Sequence, residues 1–314
     1  MKDRLVTGLV LAAILIPVIT VPILLEVFQV VMSIFVVIAS LEMIRMYETK
    51  KKFQMWPRIG IVLITLGTFF SVGGVLGSIE HNPLEVNGAL SITIPIFTLI
   101  LLSFLVLFKD FNGEDVGKAL MVVNYVGLGA ASIVILRFLG VRFIVYLLLI
   151  TSFTDVFAYM FGMKFGKHKL APHISPQKSW EGAIAGTVFA TIIASSFALF
   201  YGTVFTPDTW LGSVWNAGGE KTLLENFSSL GEDYPIWIQA FVIVPVTFIA
   251  SIFAQIGDLV ASRLKRTYSI KDFGTILPGH GGLLDRFDSA LFAAMFLTAV
   301  FLIIYRLFPA IVIL

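Results

Sequence analysis

The chain has 314 residues, of which 58% are hydrophobic and only 13% are charged, and its mean hydropathy is +0.94. A soluble domain carries about 25% charged residues, so this composition excludes an ordinary soluble protein and predicts an integral membrane protein. Cysteine is absent, which excludes disulfides, thiolate catalysis and cysteine-ligated metals, and a net charge of +2 gives no reason to expect a nucleic-acid partner.

Nine apolar runs follow one another along the chain, each close to the roughly 20 residues that cross a bilayer as an α-helix. The first run is too long for a signal-peptide core and lacks a small-x-small cleavage site, so we expect it to remain as a helix. The fold class is therefore all-α and polytopic, with about nine transmembrane helices. The runs cover residues 5–25, 27–44, 59–79, 89–108, 119–139, 143–161, 180–203, 236–261 and 289–312.

The basic residues are distributed unevenly between the two sides of this arrangement. With the N-terminus inside, all of the 22 lysines and arginines lie on the cytoplasmic side except Arg137, Arg142, Lys221 and Arg306. Multi-pass proteins keep such an excess in their cytoplasmic loops, so the sequence predicts an N-in, C-out topology. The longest outer loop, 204–235, is acidic and too short for a soluble domain. We therefore expect any active site at the cytoplasmic helix ends.

An aspartate lies inside the sixth run, in the sequence T-S-F-T-D-V-F-A-Y. An ionisable side chain within a membrane span is costly and usually faces the protein interior or water, so Asp155 is a candidate functional residue. The structural alternative is an aspartate that is paired with a loop lysine.

The loop after the sixth run ends in S-P-Q-K-S-W-E-G, residues 175–182. Ser179 is predicted to be the N-cap of the next helix, which places Lys178 beside free backbone N–H groups and the positive end of the helix dipole. That position suits a phosphate. Gly182 and Gly186 predict a closely packed helix face. The remaining lysines of the loop are better explained as contacts to lipid headgroups: Lys164, Lys167 and Lys169.

The most highly charged stretch, residues 262–288, lies between the last two runs and contains five basic residues, three acids, a histidine and four glycines. Asp258 precedes it, and Asp285 and Asp288 end it on what should be one helix face. Carboxylates without thiols or paired histidines indicate a hard cation such as Mg²⁺. The alternative for Asp285 and Asp288 is that they only stabilise a helix N-terminus through its dipole.

A glycine-rich turn surrounds His280 within the same stretch. Gly279, Gly281 and Gly282 allow the backbone to approach another group closely, and glycine-rich loops beside lysines and arginines bind phosphates. This stretch is not a P-loop, because the pattern G-x-x-x-x-G-K-[ST] does not occur.

The pattern S-R-L-K-R-x4-K-D-x-G-x2-L-P-G-H-G-G-L-L-D-R-F-D resembles, position by position, the signature of the phosphatidate cytidylyltransferases (CDP-diacylglycerol synthases). The D-x-F-A-Y and S-P-x-K-S-W-E-G stretches are similar to that family's two other recurrent patches, so the resemblance covers roughly the C-terminal half. It implies a Mg²⁺-dependent nucleotidyltransferase of the plasma membrane. The implied reaction converts CTP and phosphatidate from the inner leaflet into CDP-diacylglycerol and pyrophosphate, for phospholipid biosynthesis.

The resemblance also implies roles for individual residues. Within one membrane unit, residues 1–140 would be N-terminal helices and residues 141–314 the catalytic region, and a homodimer is expected from the same likeness. The implied metal ligands, for Mg²⁺ and a second cation such as K⁺, are Asp258, Asp285 and Asp288, which would act with Lys265 and Arg266 in catalysis. The implied substrate contacts are Asp155, Ser175, Lys178, Lys271, Asp272, Gly279, His280, Gly281, Gly282 and Arg286.

No general base is needed for this reaction, because a phosphate monoester has a second pKa near 6 and is mostly dianionic at pH 7. The protein's task is to neutralise charge and align the two phosphates. A transporter that uses Asp155 and Asp258 as an ion path is the main alternative, but the charge gathers at the cytoplasmic ends and not at the midplane. A CDP-alcohol phosphotransferase is disfavoured because its D-G-x2-A-R…G-x3-D-x3-D pattern is missing.

Overall fold

The computed structural model describes residues 16–74, 88–277 and 281–310, which form a bundle of long helices. Two 3-10 turns, Pro22–Leu24 and Leu284–Arg286, and one antiparallel hairpin of β1 (Lys169–Ala171) and β2 (Ser175–Ser179) complete the architecture. The helices are α1 (Leu25–Glu48), α2 (Met55–Gly73), α3 (Gly88–Leu107), α4 (Gly113–Leu139), α5 (Val141–Phe165), α6 (Trp180–Leu199), α7 (Tyr201–Val204), α8 (Trp210–Trp215), α9 (Ser229–Glu232), α10 (Ile236–Thr267) and α11 (Asp288–Leu307).

Seven of the described helices are long and apolar enough to cross a membrane, namely α1, α2, α4, α5, α6, α10 and α11. Helix α3 coincides with the predicted run 89–108 and counts as a shorter apolar helix over Thr93–Leu107. Each predicted run from 27–44 onward therefore corresponds to one helix. The predicted first span, 5–25, lies mostly outside the described residues, of which 16–20 are helical. The count of nine and the division at residue 140 stay predictions.

The loops predicted to be cytoplasmic lie together at one end of the bundle. An ion pair, a ring contact and a hydrogen bond join four of them. Their shared location supports the alternation of helix directions, although which end faces the cytoplasm stays a prediction. The three contacts are Lys51–Asp115 at 2.5 Å, the Tyr47–Tyr268 rings at 5.1 Å between centroids, and Arg266 Nε to the Ile174 carbonyl at 3.4 Å.

The long loop at the opposite end folds back against the helices. Arg142, at the start of α5, is buried and donates to the carbonyl oxygens of Thr222 (3.4 Å) and Glu225 (2.6 Å). Its guanidinium also lies 3.4 Å from the carboxylate of Glu220. A buried guanidinium without such partners would be costly, so these contacts fix the loop on the bundle.

Helices α5 and α6 approach each other closely through glycines. A Cβ atom at Gly182 would lie 2.5 Å from the Ala158 carbonyl oxygen, and one at Gly186 would lie 2.6 Å from that of Thr154. No side chain fits at these distances, which confirms the predicted small-residue face.

A seam of buried hydroxyls joins α10 to α5 and α6. The Tyr146 and Thr247 hydroxyls are 2.6 Å apart, and those of Thr154 and Ser251 are 2.7 Å apart. Interhelical hydrogen bonds of this kind support helix association where no water is present. The C-terminal helices α5, α6 and α10 are thus joined by both backbone approach and polar contacts.

A short hairpin is a local addition to the predicted helical fold, which the described residues otherwise confirm. Its strands pair Lys169 with Ser179 and Ala171 with Ser175, within a stretch that we predicted to be loop. The strands are short and mostly polar, and only Ser179 among their eight residues is buried, so neither hydropathy nor alternation reveals them. The hairpin carries the chain from the end of α5 to the start of α6.

Candidate active site

Strand β2 delivers Lys178 to helix α10. The next residue, Ser179, is the N-cap of α6, and its hydroxyl accepts a hydrogen bond from the Gly182 N–H at 3.2 Å, as predicted. The Lys178 ammonium forms a short ion pair with the Asp258 carboxylate, whose other oxygen accepts from Ser262 at 3.3 Å. Lys178 therefore lies at the α6 N-terminus, paired with a predicted metal ligand.

Three carboxylates from three helices converge beside this ion pair. Asp155 on α5, Asp258 on α10 and Asp288 at the start of α11 are close enough to repel one another electrostatically. The cations that oppose this repulsion are Lys178, which attracts Asp155, and Lys265, which attracts Asp288. Lys265 is itself paired with Asp285, so four carboxylates share two ammonium groups, and this excess of negative charge favours a bound cation.

Asp285 does not share a helix face with Asp288, so that expectation is wrong. Asp285 lies in the 3-10 turn Leu284–Arg286, and α11 begins only at Asp288. Phe287 separates the two elements with φ −116° and ψ 1°, values outside the α-helical region. The three-residue spacing would place Asp285 and Asp288 on one face of a continuous α-helix, but the change from 3-10 turn to α-helix at Phe287 separates them.

Both oxygens of Asp285 are already bonded to the protein. Oδ1 accepts from the Lys265 ammonium at 2.7 Å, and Oδ2 accepts from the N–H groups of Phe273 (2.8 Å) and Gly282 (2.9 Å). The side chain is only 6% exposed. These contacts give Asp285 a role in holding the backbone at Phe273 and Gly282 against α10.

Among residues 16–74, 88–277 and 281–310, no three aspartate, glutamate or histidine side chains are arranged to hold a metal ion. The donor chemistry nevertheless fits Mg²⁺, since the converging groups are carboxylates with excess negative charge. Asp258 and Asp288, which we predicted as metal ligands, and Asp155, which we had assigned to the substrate, are donors of this kind but do not form a preformed three-ligand site within the described residues. Asp285 fits less well because Lys265 and two backbone N–H groups use its oxygens.

The glycine-rich turn is described only in part, because Gly279 and His280 lie outside the described residues. The Leu277 N–H donates to the Gly281 carbonyl oxygen at 3.0 Å, which closes the turn. Gly281 has a φ of +83°, a value that favours glycine, so its predicted need for backbone freedom is confirmed.

The remaining predicted substrate contacts lie around this cluster. Arg266, Lys271, Asp272 and Arg286 are exposed, and Ser175 in β2 is half-buried. The Arg266 guanidinium donates to the carbonyl oxygens of Ile174 and Ile270, and a cation at that position can still meet a ligand from solvent. Basic side chains exposed beside a carboxylate cluster, in which Asp288 is buried, Asp258 half-buried and Asp155 exposed, can bind a metal–polyphosphate complex.

Two residues near this cluster were missed by the sequence analysis. Glu42 on α1 is 1% exposed and accepts hydrogen bonds from the Leu283 and Leu284 N–H groups. Tyr125 on α4 has a buried hydroxyl with no hydrogen-bond partner in the described part of the chain, and it interacts electrostatically with Asp288. An acid within an apolar run is the signal that could have identified Glu42.

The position of Tyr125 follows from an irregularity in α4. Residues Val123–Leu128 form a π-helical segment between the two α-helical parts of α4. Such segments insert an extra residue into a turn and are frequent at functional sites.

Tyr268 directly follows the last residue of α10 and packs against the end of α1. Its ring contacts Tyr47, and the Lys50 ammonium lies 4.8 Å from the ring centroid. Burial raises the pKa of the Tyr268 hydroxyl above its usual range, with Lys118 opposing the shift. The hydroxyl is therefore protonated at neutral pH.

Comparisons with known proteins identify the family of the chain. A sequence profile of the cytidylyltransferase family matches residues 2–304. The chain is 31% identical to the phosphatidate cytidylyltransferase of Bacillus subtilis (strain 168) over 302 residues, which is 95% of this chain and 96% of that one. It is 39% identical to those of Staphylococcus aureus (strain COL) and Staphylococcus haemolyticus (strain JCSC1435) over 196 residues. That alignment covers 62% of this chain and 63% of each staphylococcal protein.

Proposed function

The chain belongs to the cytidylyltransferase family, and we propose that it transfers the cytidylyl group of CTP to phosphatidate in the cell membrane. A phosphate oxygen of phosphatidate attacks the α-phosphorus of CTP, the bond between that phosphorus and the bridging oxygen breaks, and pyrophosphate leaves. The observation that carries the proposal is the carboxylate cluster of Asp155, Asp258 and Asp288 beside Lys178 and Lys265 at one end of an apolar bundle.

The basic side chains of the site neutralise the reacting phosphates. Lys178, Arg266, Lys271 and Arg286 are candidates for contacts to the triphosphate, since charge-assisted hydrogen bonds are the strongest available for such a polyanion. Lys265 is bound to Asp285 and so supports the loop that Asp285 holds. The attacking phosphate is already dianionic near neutral pH, so the protein has to align it and not deprotonate it.

Asp258 and Asp288, with Asp155 beside them, would hold Mg²⁺ in this proposal. The ion, when bound, would supply charge neutralisation between the nucleotide and these carboxylates. Asp258 would have to give up its pair with Lys178, which then becomes available to a phosphate. Asp285 keeps the glycine-rich turn in place.

An apolar cavity suits the lipid substrate. It has a volume of about 370 Å³ between α6 and α10, and its lining includes Trp180, Ile184, Ile252, Ile256 and Leu259. Trp180 lies two residues after Lys178, and Leu259 directly follows Asp258. Two of its lining residues are thus neighbours in sequence of the Lys178–Asp258 pair, and the apolar side chains of Trp180, Ile184, Ile252 and Ile256 are exposed on the bundle surface. We assign the cavity to an acyl chain of phosphatidate, whose phosphate would then lie at the ion pair.

The test is a transfer assay with purified protein in detergent, phosphatidate, Mg²⁺ and CTP labelled in the cytidine. We expect label in the lipid fraction and one pyrophosphate released per lipid labelled. Diacylglycerol, which lacks the phosphate, and glycerol 3-phosphate, which lacks the acyl chains, serve as matched controls and should not accept label efficiently. Absence of lipid-linked label with phosphatidate at any Mg²⁺ concentration would refute the proposal.

A further inference from the structure

We infer that Glu42, on α1, is a positioning residue that orients the start of the turn carrying Asp285 and Arg286 for nucleotide binding. The inference rests on the proposed function for its substrate and on the contacts of one buried carboxylate for its mechanism. It assigns a role in the site to a helix from the N-terminal part of the chain.

The carboxylate of Glu42 binds two consecutive backbone groups. Oε1 accepts from the Leu283 N–H and Oε2 accepts from the Leu284 N–H, each at 2.9 Å. These groups lie at the start of the 3-10 turn Leu284–Arg286, where backbone N–H groups lack partners within the turn. A two-oxygen contact fixes both the position and the orientation of the turn, which a single hydrogen bond would not do.

The loop is shaped to admit this carboxylate. A Cβ atom at Gly282 would lie 2.8 Å from each Glu42 oxygen, and a Cβ atom at Gly274 would overlap Oε1. Two glycines from different parts of the 262–288 stretch thus leave the room that Glu42 occupies. Larger side chains at either position would push the carboxylate away from the turn.

The cost of this placement argues for a role beyond packing. Glu42 is 1% exposed and forms no ion pair within the described part of the chain, where Arg45 supplies only a longer-range attraction. A buried carboxylate loses its hydration, so an apolar residue would be expected here if helix packing were the only requirement. The charged carboxylate accepts two hydrogen bonds from the turn, which an apolar residue could not do.

Glu42 and Asp285 hold neighbouring backbone groups of the same loop, and their carboxylates are close enough to repel each other. Glu42 fixes the N–H groups of Leu283 and Leu284, whereas Asp285 fixes those of Phe273 and Gly282. Without Glu42 the turn would remain attached to α10 through Asp285 but would lose its fixed orientation toward α1. The exposed guanidinium of this turn and the first carboxylate of α11 would shift, while the apolar cavity between α6 and α10 would not.

The experiment compares Glu42→Gln and Glu42→Asp with Glu48→Gln, a control on the same helix whose carboxylate lies 3.7 Å from Arg58 and away from the turn. We expect Glu42→Gln to raise the KM for CTP by about tenfold or more. The charge-assisted contact becomes a neutral one, and one of the two backbone N–H groups of the turn would face the NH2 group of glutamine, which cannot accept a hydrogen bond. The KM for phosphatidate and the melting temperature should change little. Glu42→Asp should keep part of the wild-type affinity for CTP, and Glu48→Gln all of it.

A second readout separates this inference from the proposed function. Hydrogen exchange of the amides at 283 and 284 should be faster in Glu42→Gln than in the wild type, whether or not the protein transfers cytidylyl groups. An inactive wild-type protein would refute the proposed function alone. Unchanged exchange, or faster exchange with an unchanged KM for CTP, would overturn the role of Glu42. If Glu42→Gln does not fold, the same two measurements on Glu42→Asp decide the question.

Discussion

Replacing Lys178 with alanine should weaken the binding of CTP and strengthen the binding of Mg²⁺, because its ammonium serves two anions in turn. In the structure it is paired with Asp258, and both side chains are a little over a quarter exposed. In the proposed reaction the same ammonium turns to a phosphate when Asp258 takes the cation. Removing it therefore deletes a phosphate contact and at the same time frees a metal ligand.

The two effects differ in size. A hydrogen bond between a charged donor and a phosphate contributes about 1.5–3 kcal/mol, which corresponds to a loss of about 10- to 150-fold in kcat/KM for CTP. The ion pair with Asp258 is partly solvated, and such pairs contribute about 0–1 kcal/mol. Freeing Asp258 should accordingly lower the Mg²⁺ concentration for half-maximal activity by up to about fivefold. Opposite shifts in two titrations are a signature that general damage to the fold would not produce.

The assay is a set of initial-rate titrations of CTP, phosphatidate and Mg²⁺ on Lys178→Ala, Lys178→Arg and the wild type. Lys167→Ala is the matched control, since Lys167 is an exposed lysine that precedes the same hairpin. Lys167→Ala should leave the CTP and Mg²⁺ titrations unchanged. A defect of Lys178→Ala that appears only in the phosphatidate titration would place Lys178 on the lipid side of the site and refute the reasoning.

Three further outcomes are expected. Asp285→Asn should lose turnover and also melt at a lower temperature, because breaking a buried ion pair costs about 3–5 kcal/mol. Asp288→Asn should lose turnover with less effect on the melting temperature, and an Asp285→Asn protein with wild-type activity would contradict this prediction. Tyr125→Phe should lower kcat/KM by about tenfold without lowering the melting temperature, since its hydroxyl makes no hydrogen bond within the described residues, and unchanged kinetics would exclude a substrate contact. In this cysteine-free chain, Asp208→Cys should react with an impermeant thiol reagent from outside and Lys167→Cys only after permeabilisation, and the reverse pattern would invert the topology.

The parts of the fold that hydropathy and helix-terminus chemistry govern could be predicted from the sequence. Helix lengths follow from the thickness of the bilayer, so the apolar runs located the described helices to within a few residues. The N-cap at Ser179 and the close approach at Gly182 and Gly186 depend on neighbours within one helix turn, and they are found as predicted. Features of this kind depend on residues that are close together in the sequence, so the sequence is enough to predict them.

Contacts between distant segments could not be predicted in the same way. Glu42 and Leu283 are 241 positions apart, and no periodicity links an acid in the second run to a glycine-rich turn near the end of the chain. The three-residue spacing of Asp285 and Asp288 suggested a shared helix face, but a 3-10 turn separates them. The proximity of Asp155 to Asp258 and Asp288 depends on the packing of three helices, which the sequence does not reveal. Asp155 was therefore predicted as a substrate contact and not as a neighbour of these carboxylates.

The contact between Glu42 and the turn at Leu283 also has a consequence for biogenesis. Helix α1 enters the membrane early in translation, whereas its hydrogen-bond donors are synthesised 241 residues later. At about 5–20 residues per second, that interval lasts on the order of tens of seconds. During this time the Glu42 carboxylate has none of its final partners, so nascent intermediates lack a formed nucleotide site. The turn, and with it the proposed nucleotide site, is completed only after residues 283 and 284 have left the ribosome.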